Sequence, residues 1–303
     1  MKKILIGGGS GLIGSRLTDL LMKKGYEVAH LSRSEQSKSW VNAIHWDVEN
    51  QKLNAEDIKG FDAVINLAGA GIADEAWTEE RKKVIRDSRV KSNLLLRDRL
   101  KELSDKPSFF ISASAIGYYG MRTSARVFKE DDQPAEDFLA QSSADWEASA
   151  DEIADLGIPT AKIRIGLVLS DEGGALAEME KPLRWGVGAP LGDGKQGMPW
   201  IHIDDLCGIF IYILENSYEG VYNGVAPKGV NNREFTTTLA KVLEKPLFLP
   251  PVPGFMIKLI MGERANLVLK GSLVSSKKIE KAGYVFKYSE LEEALKEIYL
   301  VGN

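Results

Sequence analysis

Three glycines, Gly9, Gly11 and Gly14, stand in the spacing Gly-x-Gly-x-x-Gly. An apolar run, Ile4–Ile6, precedes them, and a helical pattern with Ile13, Leu17, Leu20 and Leu21 on one face follows. A loop of this kind between strand and helix can hold a diphosphate. Gly11 lets the backbone approach it, Gly14 allows close helix–strand packing, and the helix N-terminus presents free N–H groups and partial positive charge. A mononucleotide phosphate loop nearly fits Gly9 to Gly14, but Ser15 and then Arg16 follow where a lysine is required. A serine-hydrolase elbow around Ser10 fails because Leu12 stands where glycine is needed. The loop therefore reads as a dinucleotide site. About 20 residues past such glycines, an NAD site places a carboxylate for the ribose hydroxyls. Here the second strand ends Leu31-Ser32-Arg33-Ser34. A guanidinium and two hydroxyls suit a 2′-phosphate that a carboxylate would repel, which favours NADP(H) over NAD(H). Glu35 keeps the NAD(H) alternative open, and the plainer reading of Arg33 is a solvated loop cation.

The elements that would position this loop alternate along the first half of the chain. Apolar runs at Ile4–Ile6, Val28–Leu31, Ala43–Trp46, Ala63–Asn66, Phe109–Ser112 and Ala161–Ile165 read as buried strands. Amphipathic stretches at Trp77–Leu103 and Phe138–Leu156 read as helices between them. Alternation of this kind predicts an α/β fold, a Rossmann-type doubly wound parallel sheet over residues 1–165. After Ile165 the pattern loosens into a glycine-rich segment, Gly173 to Gly197, with loops and one short helix. Asp204 and Asp205 are placed to cap a helix through Leu214, and Val221–Asn223 can return to the main sheet, a return segment near 203–225. Residues 166–303 then form a smaller, partly interleaved substrate domain over the carboxyl ends of the strands.

Composition narrows the function classes. The 303 residues carry 39 Lys plus Arg against 43 Asp plus Glu, a net charge of −4 that gives no reason to expect nucleic acid as a partner. A single cysteine, Cys207, excludes an internal disulfide and a cysteine-rich zinc site, and His30, His45 and His202 lie too far apart for a histidine-built metal site. No stretch reaches the roughly 18–20 apolar residues of a membrane helix. The opening Met1–Ile6 is too short for a secretory leader, so a cytoplasmic protein is expected. A small-molecule substrate is the expected partner, and nothing in the sequence bears on oligomeric state.

Gly8-Gly9-Ser10-Gly11-Leu12-Ile13-Gly14, Asp47 after the third strand and Asn66-Leu67-Ala68-Gly69 after the fourth resemble the short-chain dehydrogenase/reductase superfamily, closest to its extended, epimerase-like branch. The segments Ser112–Gly120, Gly192–Gln196, Trp200–Asp205, Asn223–Pro227 and the tail Gly262–Leu295 narrow this further. Together they resemble the NAD-dependent epimerase/dehydratase family, in the group sometimes labelled SulA-type that has its own C-terminal domain. The resemblance runs over essentially the whole chain. It implies that Gly8 to Gly14 hold the pyrophosphate, Ser32 and Arg33 the adenosine phosphate, that Asp47 faces the adenine, and that Leu67, Ala68 and Gly69 line the cofactor. Arg89 falls where ordinary members carry an asparagine, which implies a role toward cofactor or substrate. Against that, nine basic and two acidic residues within 81–101 read as a mostly solvated helix face.

Superfamily chemistry uses a tyrosine acid/base and a lysine four residues on, whose ammonium lowers the phenol pKa. None of the nine tyrosines has lysine at that spacing, and the corresponding slots fall on Leu139 and Ser143. The remaining catalytic candidates are Ser114 at the end of the fifth strand, Tyr118 and Tyr119. Ser114 could bond a substrate oxygen or simply the backbone. Tyr118 and Arg122 have the right spacing, but the flanking glycines suggest a loop, where that spacing aligns nothing. His202 suits proton transfer near neutrality, and with Trp200 it is a candidate for the substrate pocket or for structure. Trp185 and Arg184 could line a pocket or face solvent. Cys207 reads as a buried small hydrophobe. Three functions compete: an NADP(H)-dependent oxidoreductase of atypical type, a non-catalytic NADP(H) sensor or partner-binding protein, and a nucleotide-sugar epimerase.

Overall fold

Seven strands assemble into one parallel sheet, buried along most of their length except at the edge strand Asn42–His45, whose two ends are exposed. They are β1 (Lys3–Gly7), β2 (Glu27–Ser32), β3 (Asn42–His45), β4 (Ala63–Asn66), β5 (Phe109–Ala115), β6 (Thr160–Ile165) and β7 (Gly220–Gly224). The order across the sheet is β7-β6-β5-β4-β1-β2-β3, so the chain winds outward from β1 in both directions. This is a computed structural model, and it describes residues 2–33 and 41–300. Alternation along β1 sends Ile4 and Ile6 to one face of the sheet and Leu5 to the other.

Helix α1 (Leu12–Lys23) covers the first face with Leu17 and Leu21. On the second face lie α2 (Glu79–Glu102) and α3 (Phe138–Ala154), which pack against each other. α2 buries Ile85, Ser92, Asn93, Leu96 and Leu100 on a narrow stripe, leaving most of its charges outside. Thr78 caps it by accepting the N–H of Arg81, and Asp137 caps α3 by accepting those of Leu139 and Ala140.

The second half of the chain is threaded through the first. The glycine-rich segment holds one helix, α4 (Ala175–Arg184). Helix α5 (Ile203–Asn216) packs on α1 and the sheet, and β7 joins the sheet beside β6, as the return segment required. Cys207 lies fully buried on α5 among apolar neighbours, and burial pushes its thiol pKa well up. Interleaving also runs the other way, because Ser124–Phe128 leaves the first half to pair in parallel with Ser272–Val274. A separate core of Trp200, Phe235, Leu239 and Leu295 holds the C-terminal elements together.

One capping expectation is corrected. The cap of α5 is His202, whose Nδ1 accepts the N–H of Asp204 at 3.1 Å. The two aspartates are used across the fold instead. Asp204 pairs with Arg16 of α1 at 2.6 Å, and the buried Asp205 accepts the backbone N–H groups of Lys287 and Tyr288 at 2.7 and 2.8 Å. Among the described residues no helix is long and apolar enough to cross a membrane.

Candidate functional site

Strand order reverses between β1 and β4, and in open α/β sheets the crevice at that point is where ligands bind. The loop Gly8–Gly11 after β1 and the loop Leu67–Gly69 after β4 meet there. Gly8 has φ +76°, and a Cβ on it would stand 2.9 Å from the Leu67 carbonyl carbon. A side chain on Gly14 would stand 2.4 Å from the Gly8 oxygen, so glycine is what seats α1 against the loop. Gly9 is equally confined, by the ring of buried His30.

Gly11 differs from its neighbours. A Cβ there would meet only the Gly8 oxygen at 3.4 Å, and Gly11 and Ser10 are exposed. As the N-cap of α1, Gly11 brings no side-chain bond, and the first turn, with Leu12 and Ile13, holds no acidic residue. The free N–H groups of the first turn and the positive end of the helix dipole therefore face open space beside Gly11, with the sign of charge a diphosphate needs. Ser32 ends β2 and Arg33 follows it, exposed, on the same carboxyl edge. Ser34 and Glu35 lie outside the described residues. Asp47, partly buried after β3, accepts the N–H and side-chain amide of Asn50 at 3.0 and 2.7 Å, which holds its pKa below the usual carboxylate range. Its carboxylate shapes the turn after β3.

The β4 side is backed by a buried polar network that the sequence reading did not find. Asn66 donates to Ser92 and Asn93 at 2.9 and 2.7 Å and accepts the N–H of Ala68 at 3.2 Å. Asn93 in turn donates to Ser149 at 3.0 Å and Ser112 at 3.3 Å. The available signal was polar residues at strand and helix positions that the apolar period assigns to the core. Arg89, one turn before Asn93, lies against Gly69 and over the Trp146 ring at 5.1 Å, and donates to the Ile85 carbonyl at 2.7 Å. Burial, reinforced by nearby Arg81, lowers its pKa to about 10.

A second network sits under the carboxyl ends of β5, β6 and β7. Arg164 and Glu147, both buried, form a two-pronged ion pair at 2.7 and 2.9 Å. Ser114 donates to the same carboxylate at 2.6 Å. Arg164 also donates to the Tyr119 hydroxyl at 2.9 Å, and that hydroxyl donates to Asn223 at 2.7 Å. Burial pushes Tyr119 up to about 12 against the opposing pull of Arg164. Ser114 and Tyr119 are thus only 2% exposed and have their hydroxyl protons committed to protein acceptors. Tyr118 is the more accessible of the two tyrosines. Its ring lies 3.4 Å under the Arg164 guanidinium, and its pKa too is raised, chiefly by burial. Tyr118 lies inside a short 3-10 turn, Ile116–Tyr119, and Arg122 stacks on Phe128 at 4.8 Å, so the two form no dyad. The dyad slots Leu139 and Ser143 face Gly117, and Ser143 bonds the Leu139 carbonyl. An arginine inside the apolar run Ala161–Ile165 was the sequence signal for the ion pair, since a buried cation demands a carboxylate.

The two substrate-pocket candidates divide. Trp200 is a core residue, fully buried with its indole donating to the Lys228 carbonyl. His202 borders a cavity of about 230 Å³ shared with Arg16, Ser170, Asp171, Asp204 and Glu297. Its Nε2 lies 2.9 Å from Glu297. Trp185 is 77% exposed, and Arg184 pairs with Glu180. Among the described residues no cluster of His, Cys, Asp or Glu could hold a metal ion.

Sheet order, glycine cradle and the loop after β4 together define a Rossmann-type α/β protein with its crevice at the switch point. The chain belongs to the NAD dependent epimerase/dehydratase family, which matches residues 4–149, and residues 252–298 match a domain of unknown function, DUF1731. It is 35% identical over 300 residues to the human Epimerase family protein SDR39U1, covering 98% of this chain and 99% of that one. Epimerase family protein YfhF of Bacillus subtilis is 34% identical over 299 residues, 97% of each chain. The crystal structure of the human protein with NADPH superposes with a TM-score of 0.88 at 34% identity, covering 98% of both chains. The expected fold and the resemblance to the epimerase-like branch are both borne out.

Proposed function

We propose that this chain binds NADP(H) and uses it as an atypical short-chain oxidoreductase or epimerase on a small molecule. The observation that carries the reading is the uncapped, carboxylate-free N-terminus of α1 behind an open Gly11, with Arg33 beyond the neighbouring strand. Gly8 to Gly14 would hold the pyrophosphate, Ser32 and Arg33 the 2′-phosphate, and Leu67 to Gly69 the nicotinamide side. The human relative crystallised with NADPH supports the same choice of cofactor. When bound, the nicotinamide exchanges a hydride at C4 with a carbinol or carbonyl carbon. Ser114 and Tyr118 stand at the end of β5 on the same edge, and Tyr118, the less buried of the two, would orient a substrate oxygen.

Titration of the purified chain with NADPH and NADH tests the cofactor assignment. Wild type should prefer NADPH, and Arg33→Ala should lose roughly tenfold of that preference, the share of one charge-assisted phosphate contact. Equal binding of both cofactors in both proteins would refute it.

A second reading, a sensor that binds NADP(H) without turnover, is favoured by one observation. The dyad slots are Leu139 and Ser143, while Ser114 and Tyr119 are engaged in the Arg164 network. Transfer of deuterium from labelled NADPH to any product, lost in Tyr118→Phe, would exclude a pure sensor.

A further inference from the structure

The two asparagine-linked levels of the fold locate Arg89. Asn93 bonds Asn66 at the end of β4 and Ser112 in the middle of β5. Helix α2 descends from the carboxyl edge of the sheet, so Arg89, four residues earlier, lies about 6 Å nearer that edge. Ser114, two residues beyond Ser112 on an ascending strand, gains about 6.6 Å in the same direction. Arg89 therefore stands level with Ser114, beside Gly69, where the reacting end of a bound dinucleotide falls on the reading proposed above.

No carboxylate pairs with Arg89 among the described residues, and its protein bond is to the Ile85 carbonyl. The indole N–H of Trp146, beneath its guanidinium, is buried with no acceptor. Arg81 and Arg264 brace the adjoining loop by donating to the Gly71 and Ala73 carbonyls, and the Nε of each is buried and unbonded. Arg81 is balanced by Asp74 and Glu75, whereas no carboxylate among the described residues balances Arg89. A partly buried guanidinium over an unsatisfied indole donor is an arrangement that an anionic acceptor completes.

The cofactor offers two anionic groups, and both are accounted for elsewhere. The pyrophosphate belongs to the α1 cradle beyond β1, and the 2′-phosphate to Arg33 beyond β2. Arg89 lies beyond β4 on the side of β5, across the switch point from both. We infer that Arg89, backed by Trp146, seats the anionic group of the substrate, so that this chain acts on a small molecule bearing a carboxylate or phosphate close to its reacting carbon. The inference rests on NADP(H) occupying the crevice, and it makes Arg89 a substrate residue instead of a cofactor residue.

Its test uses the full chain loaded with NADPH, titrated separately with malonate and inorganic phosphate, with sodium chloride at matched ionic strength as reference. The nicotinamide emission of bound NADPH is the readout. A saturable response to malonate or phosphate, absent with chloride, is expected, and whichever probe binds identifies the group. Arg89→Met should weaken that response roughly tenfold or more, the loss of one charge-assisted contact, while NADPH affinity stays within about twofold. Arg89→Lys keeps the charge without the fork and should lose severalfold, which decides the matter if Arg89→Met does not accumulate as folded protein. No saturable response in wild type, or an unchanged one in the variants, overturns the inference. So does a matching fall in NADPH affinity, which would return Arg89 to the cofactor. Failure of wild type to bind NADPH at all is a separate result and sinks the cofactor reading itself.

Discussion

At the scale of single residues, the Arg164–Glu147 pair determines what the end of β5 can do. Both charges are out of water, and each is balanced by the other and by Ser114 and Tyr119. Removing one partner leaves the other buried and unpaired. Glu147→Ala should cost about 3–5 kcal/mol, a fall of roughly 10 °C in Tm for a chain of this size. The double variant with Glu147→Met and Arg164→Met should recover most of that loss, and a double variant as unstable as the worse single one would show that the pair is not the origin. His202 behaves differently. Burial lowers its pKa below the ordinary value of 6.5, although Glu297, Asp204 and Asp205 pull it up. The unfolded chain therefore takes up the proton first as pH falls below about 6.5, and stability present above that pH is lost on acidification. Protonation also ends the acceptance of the Asp204 N–H by Nδ1. Thermal melts from pH 7.5 to 5.5 should show a loss of roughly 1 kcal/mol, the size of a helix cap, that His202→Asn abolishes. Parallel curves for the two proteins would reject this assignment.

At the scale of elements, the strand–loop–helix unit β1–α1 uses its glycines for two different purposes. Gly14 has no room for a methyl group, whereas Gly11 has room but faces the crevice. Gly14→Ala should push α1 off the loop, costing about 1–3 kcal/mol together with NADPH binding. Gly11→Ala should melt like wild type yet bind NADPH at least roughly tenfold more weakly, because the methyl occupies the approach of the pyrophosphate. Equal loss of stability in both variants would contradict this division. The same unit explains why the glycine loop was readable from sequence: a tight turn and a close approach each demand a residue without Cβ, and both demands are local.

At the scale of the whole molecule, the two halves share elements. Helix α5 and β7 come from the second half but complete the sheet, and Ser124–Phe128 from the first half completes a pairing in the second. Asp205 ties α5 to Lys287 and Tyr288, while Arg264 ties the C-terminal segment to the loop after β4 and the Lys82–Glu263 pair ties it to α2. Neither half can melt without exposing part of the other's core. Calorimetry should therefore record one cooperative transition, and two resolved transitions would mean that the halves are separable.

The apolar runs were enough to place the inner strands of the sheet, because a strand buried on both faces is largely apolar, whereas the edge strand β3 is exposed at both ends. The glycine spacing placed the cradle for the same kind of reason, since its steric demands arise between residues close in the chain. Tertiary structure alone decided the rest. Glu147 and Arg164 are 17 positions apart, Tyr119 and Asn223 are 104 apart, and His202 rather than either aspartate caps α5. A polar side chain takes whichever partner the fold brings within about 3 Å, and sequence separation carries no trace of that distance. This is why the cofactor cradle was legible in the sequence, whereas the commitment of Ser114 and Tyr119 and the unbalanced charge of Arg89 became visible only once the chain was folded.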